Sequence, residues 1–405
     1  MANKLGKKQI IDRDVYELAK ERINIAYDKL DTIVVMFSGG KDSTACLNLV
    51  LEVMKERGIK KPLEVHHFDE EAIPYETEHY VRRVANDPRI DLKWYCTPIT
   101  HRNACSVEEP WWYPWAPEDQ DKWVRPLPPE AITTLEGYKS DDPKLRLTVP
   151  EMNGFLFPPE KYGNVGIVMG IRADESLTRT RAILSGRSRE DVHILKYDEG
   201  SAQGNVYKVY PVYDWNTKDI WTAPKRFGWD YNTSYDIMDK AGIRPNDQRC
   251  APPYGEEPMR GLYQFRELFP DIWPKMQTRV RGAATAARYS QTVLYSYGKN
   301  PEKPANQTWH EFLRFWIEKH PEPYRSEIAA RVQGFIKNHY NKTDEPILDK
   351  VAHPRTGVSW DFLLKIAVRG DYKNRKQPTI QGGVEEAMKQ KRKYDAARFR
   401  QPTHK

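Results

Sequence analysis

Ser38-Gly39-Gly40-Lys41-Asp42-Ser43-Thr44 combines small, hydroxylated and charged residues in the way a phosphate-holding turn requires. Gly39 and Gly40 can take φ > 0 and leave room for a ligand against the backbone. A helix beginning here has first N–H groups with no partner inside it, at the positive end of its dipole. That is a ready site for phosphate or pyrophosphate. Ser38, Ser43 and Thr44 add hydroxyls, and Lys41 adds charge. The run is neither a Walker loop, because Asp42 follows the lysine, nor the GxGxxG dinucleotide turn. Farther on stand Arg172 and Arg179, seven residues apart on an expected helix and so on one face of it. Two guanidinium groups there suit a phosphate or sulfate. The alternative is pairing with Asp174 and Glu175 at helical spacing.

These residues need elements to position them. Ile33–Phe37 is apolar and β-branched and reads as a buried strand, and residues 44–54 repeat apolar positions at helical spacing. A strand therefore enters the glycine turn and a helix leaves it. Residues 14–30 read as a helix capped by Asp12 or Asp14, and Gly58 stops the helix after the turn. Leu63–Asp69 reads as a second strand, with Asp69 at its carboxyl end, where open parallel sheets place ligand-binding residues. His66 and His67 fall on opposite faces of this strand. At most one of them looks toward the site, and core or surface roles are expected for both. A helix from Pro74 to about Ala85, a strand at 92–96 and a buried strand at 165–170 continue the alternation. Residues 205–212 form a late strand, paired with 191–197 as a hairpin. The pattern predicts an α/β fold with a doubly wound, mostly parallel sheet.

The rhythm breaks between about 101 and 161. Four of the chain's twelve tryptophans lie at 111, 112, 115 and 123, among many prolines. A stretch this long is a lid or binding insert. It is read either as a cap whose aromatic faces stack a base or as a self-packed aromatic cluster. Residues 256–370 read as a helical region and 371–405 as a basic tail, so the sheet domain is assigned to 1–255. The tail holds ten Lys/Arg against four Asp/Glu, a net +6, which leaves +1 for the rest of the +7 chain. It is either a partner-binding segment for nucleic acid or an acidic protein, or simply solvated. The four cysteines, at 46, 96, 105 and 250, form no CxxC pair, so no zinc ribbon or redox dithiol is expected. No apolar run is long enough to span a bilayer and no signal peptide is read, so a cytoplasmic location without membrane association is expected.

Several segments in chain order resemble one family. Ser38–Ser43 is similar to the PP-loop, and Asp69 with Pro74 and Thr77 resembles the family's Asp-Thr-Gly region. Gly170-Ile171-Arg172 with Glu175, Ser176 and Arg179 resembles its Gly-x-Arg-x-x-Glu-Ser-x-x-Arg segment. Tyr210–Val212, Asp214-Trp215 and Asp219–Trp221 resemble its Pro-Ile-x-x-Trp-x-x-x-Asp-Val-Trp segment. Together, over roughly residues 10–255, they resemble the phosphoadenosine phosphosulfate (PAPS) reductase branch of the PP-loop superfamily, whose fold is adenine nucleotide alpha hydrolase-like. Trp94–Cys96, His101–Cys105, Trp111–Trp115 and Ala251–Pro258 further resemble the immunoglobulin-binding regulator A proteins, which implies a ParB-like partner.

The resemblance implies an ATP or PAPS-like ligand, cleavage at the α-phosphate and release of pyrophosphate. It implies Lys41, Asp42 and Arg172 in catalytic roles. Ser38, Gly39, Gly40, Ser43, Thr44, Asp69, Gly170 and Arg179 would bind the nucleotide. Mg²⁺ would be held by Asp42 or Asp69. The C-terminal Glu-Cys-Gly-Leu-His element of true reductases is absent. Cys250 is then the one candidate thiol, with Arg249 beside it, and an unreactive loop thiol is the alternative. Without cysteine pairs no iron–sulfur cluster is expected. Alternatives are a nucleotide-sensing regulatory or phage-defence protein, a true PAPS reductase and a DNA sulfur-modification enzyme.

Overall fold

The computed structural model describes residues 11–138, 141–142, 145–176, 179–180, 183, 194–196, 204–255, 261–289, 301–372, 376–380 and 384–399. The chain divides into two compact units. One is formed by the described residues of 9–105 and 111–288, the other by those of 106–110 and 289–405.

The first unit is built on strands β1 (Thr32–Met36), β2 (Leu63–Phe68), β3 (Ile90–Tyr95), β6 (Val165–Val168), β7 (Ile194–Lys196) and β8 (Val206–Val209), in the order β3-β2-β1-β6-β8-β7. Every pairing is parallel except that of β7 with β8 at the edge. The expected α/β architecture and the late hairpin are both present. Two short strands, β4 (His101–Arg102) and β5 (Trp111–Trp112), form a separate ribbon in the insert. β1 and β6 are central and lie under structure on both faces, so their side chains read as unbroken apolar runs. From β1 the chain winds outward through β2 to β3, and β6 then returns to β1's other side. This reversal opens a crevice at the carboxyl ends of β1 and β6.

Helices α1 (Val15–Lys29), α2 (Lys41–Glu56) and α3 (Tyr75–Ala85) cover one face, burying Ile23, Leu49, Val50, Val53 and Val81. Asp14 is the N-cap of α1, accepting from the Tyr16 N–H, a contact that contributes about 0.5–2 kcal/mol. Arg22 of α1 grips Asp214 with two 2.7 Å bonds, fixing the segment after β8. Beyond it lie α4 (Thr217–Phe227), opened by an Asn216–Asp219 capping box, and α5 (Ser234–Lys240). The other face of the sheet is covered largely by the insert. Met152, Leu156, Phe157 and Tyr162 pack on Val34, Val165 and Ile167, each worth about 1.5–3 kcal/mol when fully buried.

A boundary at 255 falls inside this unit. Helices Leu262–Leu268 and Trp273–Arg279 belong with the sheet. Arg279 donates to both oxygens of the fully buried Glu71 at 2.7 and 3.0 Å, and the Tyr254 hydroxyl donates to the Met276 carbonyl. These partners lie too far apart in sequence for periodicity to reveal them.

The second unit is helical, with Trp309–Ile317, Tyr324–Tyr340, Trp360–Arg369 and Val384–Arg398. Phe312, Leu313, Leu363, Leu364 and Ile366 form its core. Part of the basic tail is therefore folded. Tyr394, on the last helix, is fully buried and donates to the Pro346 carbonyl. Among the described residues no helix is long and apolar enough to cross a membrane.

Candidate functional site

The turn after β1 adopts the expected strand–turn–helix geometry. Gly39 has φ +72°, which a side chain would strain. Gly40 is the N-cap of α2, and Lys41 is its first residue. Gly170, just after β6, lies hard against this helix start. A Cβ there would sit 2.6 Å from the Asp42 carbonyl carbon and 2.8 Å from the Ser43 nitrogen. The two loops at the crevice are thus packed backbone to backbone.

The amides of the turn are partly engaged. Lys41 N–H donates to the Tyr235 hydroxyl at 3.1 Å. Gly40 N–H and Ser38 N–H donate to the Ser38 and Ser43 hydroxyls, each at 3.3 Å. The N–H groups of Gly39, Asp42 and Ser43 have no acceptor among the described residues. The engaged amides meet neutral hydroxyls, which an anionic oxygen can displace because charge-assisted bonds are roughly twice as strong. The Thr44 hydroxyl is turned away from the turn's mouth, donating to the Gly40 carbonyl and meeting the Tyr80 hydroxyl.

A cavity of about 500 Å³ opens over this turn. Its polar wall is Ser38, Gly40, Lys41, Asp42 and Ser43, joined by Gly170, Glu175 and Arg179. Gln248 supplies a carbonyl that the Lys41 ammonium meets at 3.3 Å, and Arg249, Cys250 and Tyr235 complete this wall. The apolar wall is Met36, Phe68, Ile167 and Met169, with Val149 and Pro150 from the insert. Burial pushes the Lys41 ammonium's pKa down, although Asp42 opposes this.

Several expected residues sit otherwise than the sequence suggested. Arg172 is buried behind the cavity wall, its Nε donating to Asp42 Oδ1 at 2.5 Å. Its expected helix does not run on to Arg179. Only Ala173–Glu175 form a 3-10 turn, and Ser176 is extended. Arg179 pairs with Glu175, which also accepts from Arg249 at 2.9 Å. The side-chain pairing alternative therefore describes Arg179, and Arg172 also stands 3.8 Å from Asp174, while the cavity still receives Arg179. Asp69 is sealed off. Its carboxylate has no exposed surface and accepts from Arg125 at 2.5 Å, from Trp94 Nε1 and from the Glu71 N–H. Burial alone would raise its pKa, but Arg125, His67 and Trp94 outweigh this and lower it. It therefore orders the insert and does not reach the cavity.

The paired carboxylates bear on the implied Mg²⁺. Asp69 is enclosed, and Asp42 spends one oxygen on Arg172 with the other 3.8 Å from the Lys41 ammonium. These residues do not fit a protein-held Mg²⁺. No group of three or more His, Cys, Asp or Glu placed to hold a metal occurs among the described residues.

The insert also departs from one reading. Trp115 donates its Nε1–H to the Asp69 carbonyl and stacks edge-on with Trp123, while Trp112 packs on Tyr254. None of the four insert tryptophans lines the cavity. The insert contributes an aliphatic roof. His66 and His67 both enter the cavity wall, with rings on opposite faces. His66 stacks on Tyr95, and His67 meets Trp94 edge-on and Phe37 through its Nδ1. Sequence reasoning missed Tyr235, Gln248 and Val149–Pro150, which carry no local signature.

A family model described as the phosphoadenosine phosphosulfate reductase domain matches residues 32–237. A second, a domain of unknown function (DUF3440), matches residues 242–356. An uncharacterized protein of Escherichia coli K12, YbdN, is 29% identical over 371 residues, 89% of each chain. Among solved structures, Candida glabrata FMN adenylyltransferase is 16% identical, covering 55% of this chain and 57% of that one, with a TM-score of 0.34. The PAPS reductase of Candida auris is 12% identical, covering 57% and 94%, with a TM-score of 0.29.

Proposed function

The chain belongs to the phosphoadenosine phosphosulfate reductase domain family, and from this premise we propose that it binds an adenine nucleotide, ATP or a PAPS-like sulfonucleotide, and cleaves ATP at the α-phosphate. One observation carries the reading: a single cavity has a cationic, amide-lined wall at the β1 turn and an apolar wall beside it. Pockets of this size and make-up hold small ligands of nucleotide dimensions.

Phosphates lie on the turn, held by the N–H groups of Gly39, Asp42 and Ser43 and by the Ser38 and Ser43 hydroxyls. Lys41, Arg179 and Arg249 offset their charge. Asp42 holds Arg172, and Arg172 in turn keeps the start of α2 in place, so both act by positioning. In the reaction an acceptor oxygen bonds to the α-phosphorus. The bond to the bridging oxygen breaks, and pyrophosphate leaves with the electron pair. Donors fixed on the leaving group stabilise that charge as it develops. With water as acceptor the products are AMP and pyrophosphate. The test is incubation with ATP and Mg²⁺ and identification of products. AMP with pyrophosphate, lost in Ser43→Ala, is the expected result. ADP with phosphate would overturn α-cleavage, and absence of heat with any adenylate would overturn binding.

A second reading, reduction of a sulfonucleotide, has one observation in its favour: Cys250 lies in the cavity wall, where its Sγ accepts from the Tyr235 hydroxyl at 3.6 Å. Burial raises this thiol's pKa, against Tyr235 and Lys41, which lower it. Sulfite release from PAPS in the presence of a dithiol, abolished in Cys250→Ser, would identify that activity.

A further inference from the structure

Two histidines line the cavity, and each carries a buried ring nitrogen with no hydrogen-bond partner among the described residues: Nδ1 of His66, on the face of the apolar wall, and Nε2 of His67, on the opposite face. In β1 and β2, Met36 pairs in register with His66. Side chains alternate along a strand, so Met36, His66 and Phe68 share one sheet face. The His66 ring confirms this by stacking on Tyr95 and tilting on Phe157, both of that face. The ring therefore stands among the apolar residues of the cavity wall, and His66 is 1% exposed.

Its two nitrogens differ. Nε2 lies 2.8 Å from Glu64 Oε1, which also accepts from the Tyr162 hydroxyl at 2.6 Å. Burial alone would raise the Glu64 pKa, but the bonds from His66 and Tyr162 outweigh this and hold it at about 2. A carboxylate only accepts, so the proton of a neutral ring resides on Nε2. Nδ1 is then a bare acceptor, and it has no hydrogen-bond partner among the described residues. A buried acceptor with no partner carries a desolvation cost that a ligand donor would remove.

We propose that His66, set by Glu64 and Tyr162, is a specificity-determining residue that reads the nucleobase by accepting a hydrogen bond from the 6-amino group of adenine. This rests on the reading of the cavity as a nucleotide site. The phosphates lie on the turn, the purine fills the apolar wall, and Nδ1 meets the base edge that distinguishes amino from keto. A 6-keto purine presents an oxygen to that lone pair and is rejected. Sites built around a buried hydrogen bond discriminate strongly against analogues that leave it unpaired.

The test is calorimetric titration of the full chain with ATP, purine riboside triphosphate, which lacks the 6-amino group, inosine triphosphate and inorganic pyrophosphate. Wild type is expected to favour ATP over purine riboside triphosphate by roughly three- to tenfold, and over inosine triphosphate by more. His66→Phe keeps the ring stacking and removes Nδ1, and should bind ATP and purine riboside triphosphate equally. Glu64→Gln no longer holds the proton on Nε2 and should narrow the preference. Equal binding of the three triphosphates by wild type, or undiminished preference in His66→Phe, overturns the proposal. Should His66→Phe fail to fold, Glu64→Gln carries the test, and an undiminished preference in that variant overturns the proposal. If neither pyrophosphate nor any triphosphate binds, the nucleotide site itself is refuted, a result distinct from binding without discrimination.

Discussion

Replacing Gly170 with alanine tests the packing of the two crevice loops and the phosphate cradle at once. The new Cβ would lie 2.6 Å from the Asp42 carbonyl carbon, 2.7 Å from its oxygen and 2.8 Å from the Ser43 nitrogen, against 3.4 Å for ordinary contact. The loops must therefore separate by roughly 0.8 Å, the difference between 3.4 and 2.6 Å. All three atoms are backbone at the start of α2, so no side-chain rotation relieves the clash. Overpacking of this kind costs about 1–3 kcal/mol of stability. The same displacement shifts the Asp42 and Ser43 N–H groups, and loss of one charge-assisted bond costs about 1.5–3 kcal/mol. At tenfold per 1.4 kcal/mol, ATP affinity should fall roughly 10- to 150-fold. Denaturant melts and ATP titrations of the same preparations measure both. A variant that melts and binds like wild type would refute the contact. A destabilised variant with unchanged affinity would mean that the amides at this turn do not hold phosphate.

The other predictions need simpler measurements. Glu64, held at about 2 against an ordinary 4.5, contributes stability that is present above pH 4.5 and lost as pH falls through 2. The stability difference between wild type and Glu64→Gln should therefore shrink over that acid range, and a constant gap in urea melts would contradict it. Cys250, with its thiol pushed up by burial, should alkylate slowly at pH 8, and ATP should slow it further. An unchanged rate with ATP, read by mass spectrometry, would place the nucleotide elsewhere. Gly334 lies inside helix Tyr324–Tyr340 with open space around its would-be Cβ. Gly334→Ala should stabilise the helical unit by about 0.4–1 kcal/mol, visible as a higher melting midpoint.

Local rules made the β1 turn legible. A β-branched strand, two glycines and an amphipathic helix are all contiguous, and so are β6, Gly170 and Arg172 after it. What periodicity cannot convey is which side chains meet across the fold. Asp69 stands where a parallel sheet presents ligands, yet Arg125, 56 residues later in the insert, claims its carboxylate. Tyr235 reaches the Lys41 amide from 194 residues away, and Gln248 reaches the Lys41 ammonium from 207. The tryptophans of the insert left a base-stacking cap and a self-packed cluster both open, and the indole N–H groups of Trp115 and Trp123 are spent on backbone carbonyls of the protein. Arg179 lost its helical link to Arg172 because Ser176 is extended, its hydroxyl accepting from the Arg179 N–H as a helix N-cap does.

The Arg279–Glu71 clamp limits how the gene can be divided. A fragment stopped at the end of the recognisable reductase-like segment would leave the Glu71 carboxylate inside the protein with its guanidinium removed. Uncompensated buried charges of this kind destabilise by about 3–5 kcal/mol, a large share of what keeps a typical domain folded. Expression of the sheet unit alone should accordingly extend past position 279, and failures of shorter pieces would report a missing counter-ion.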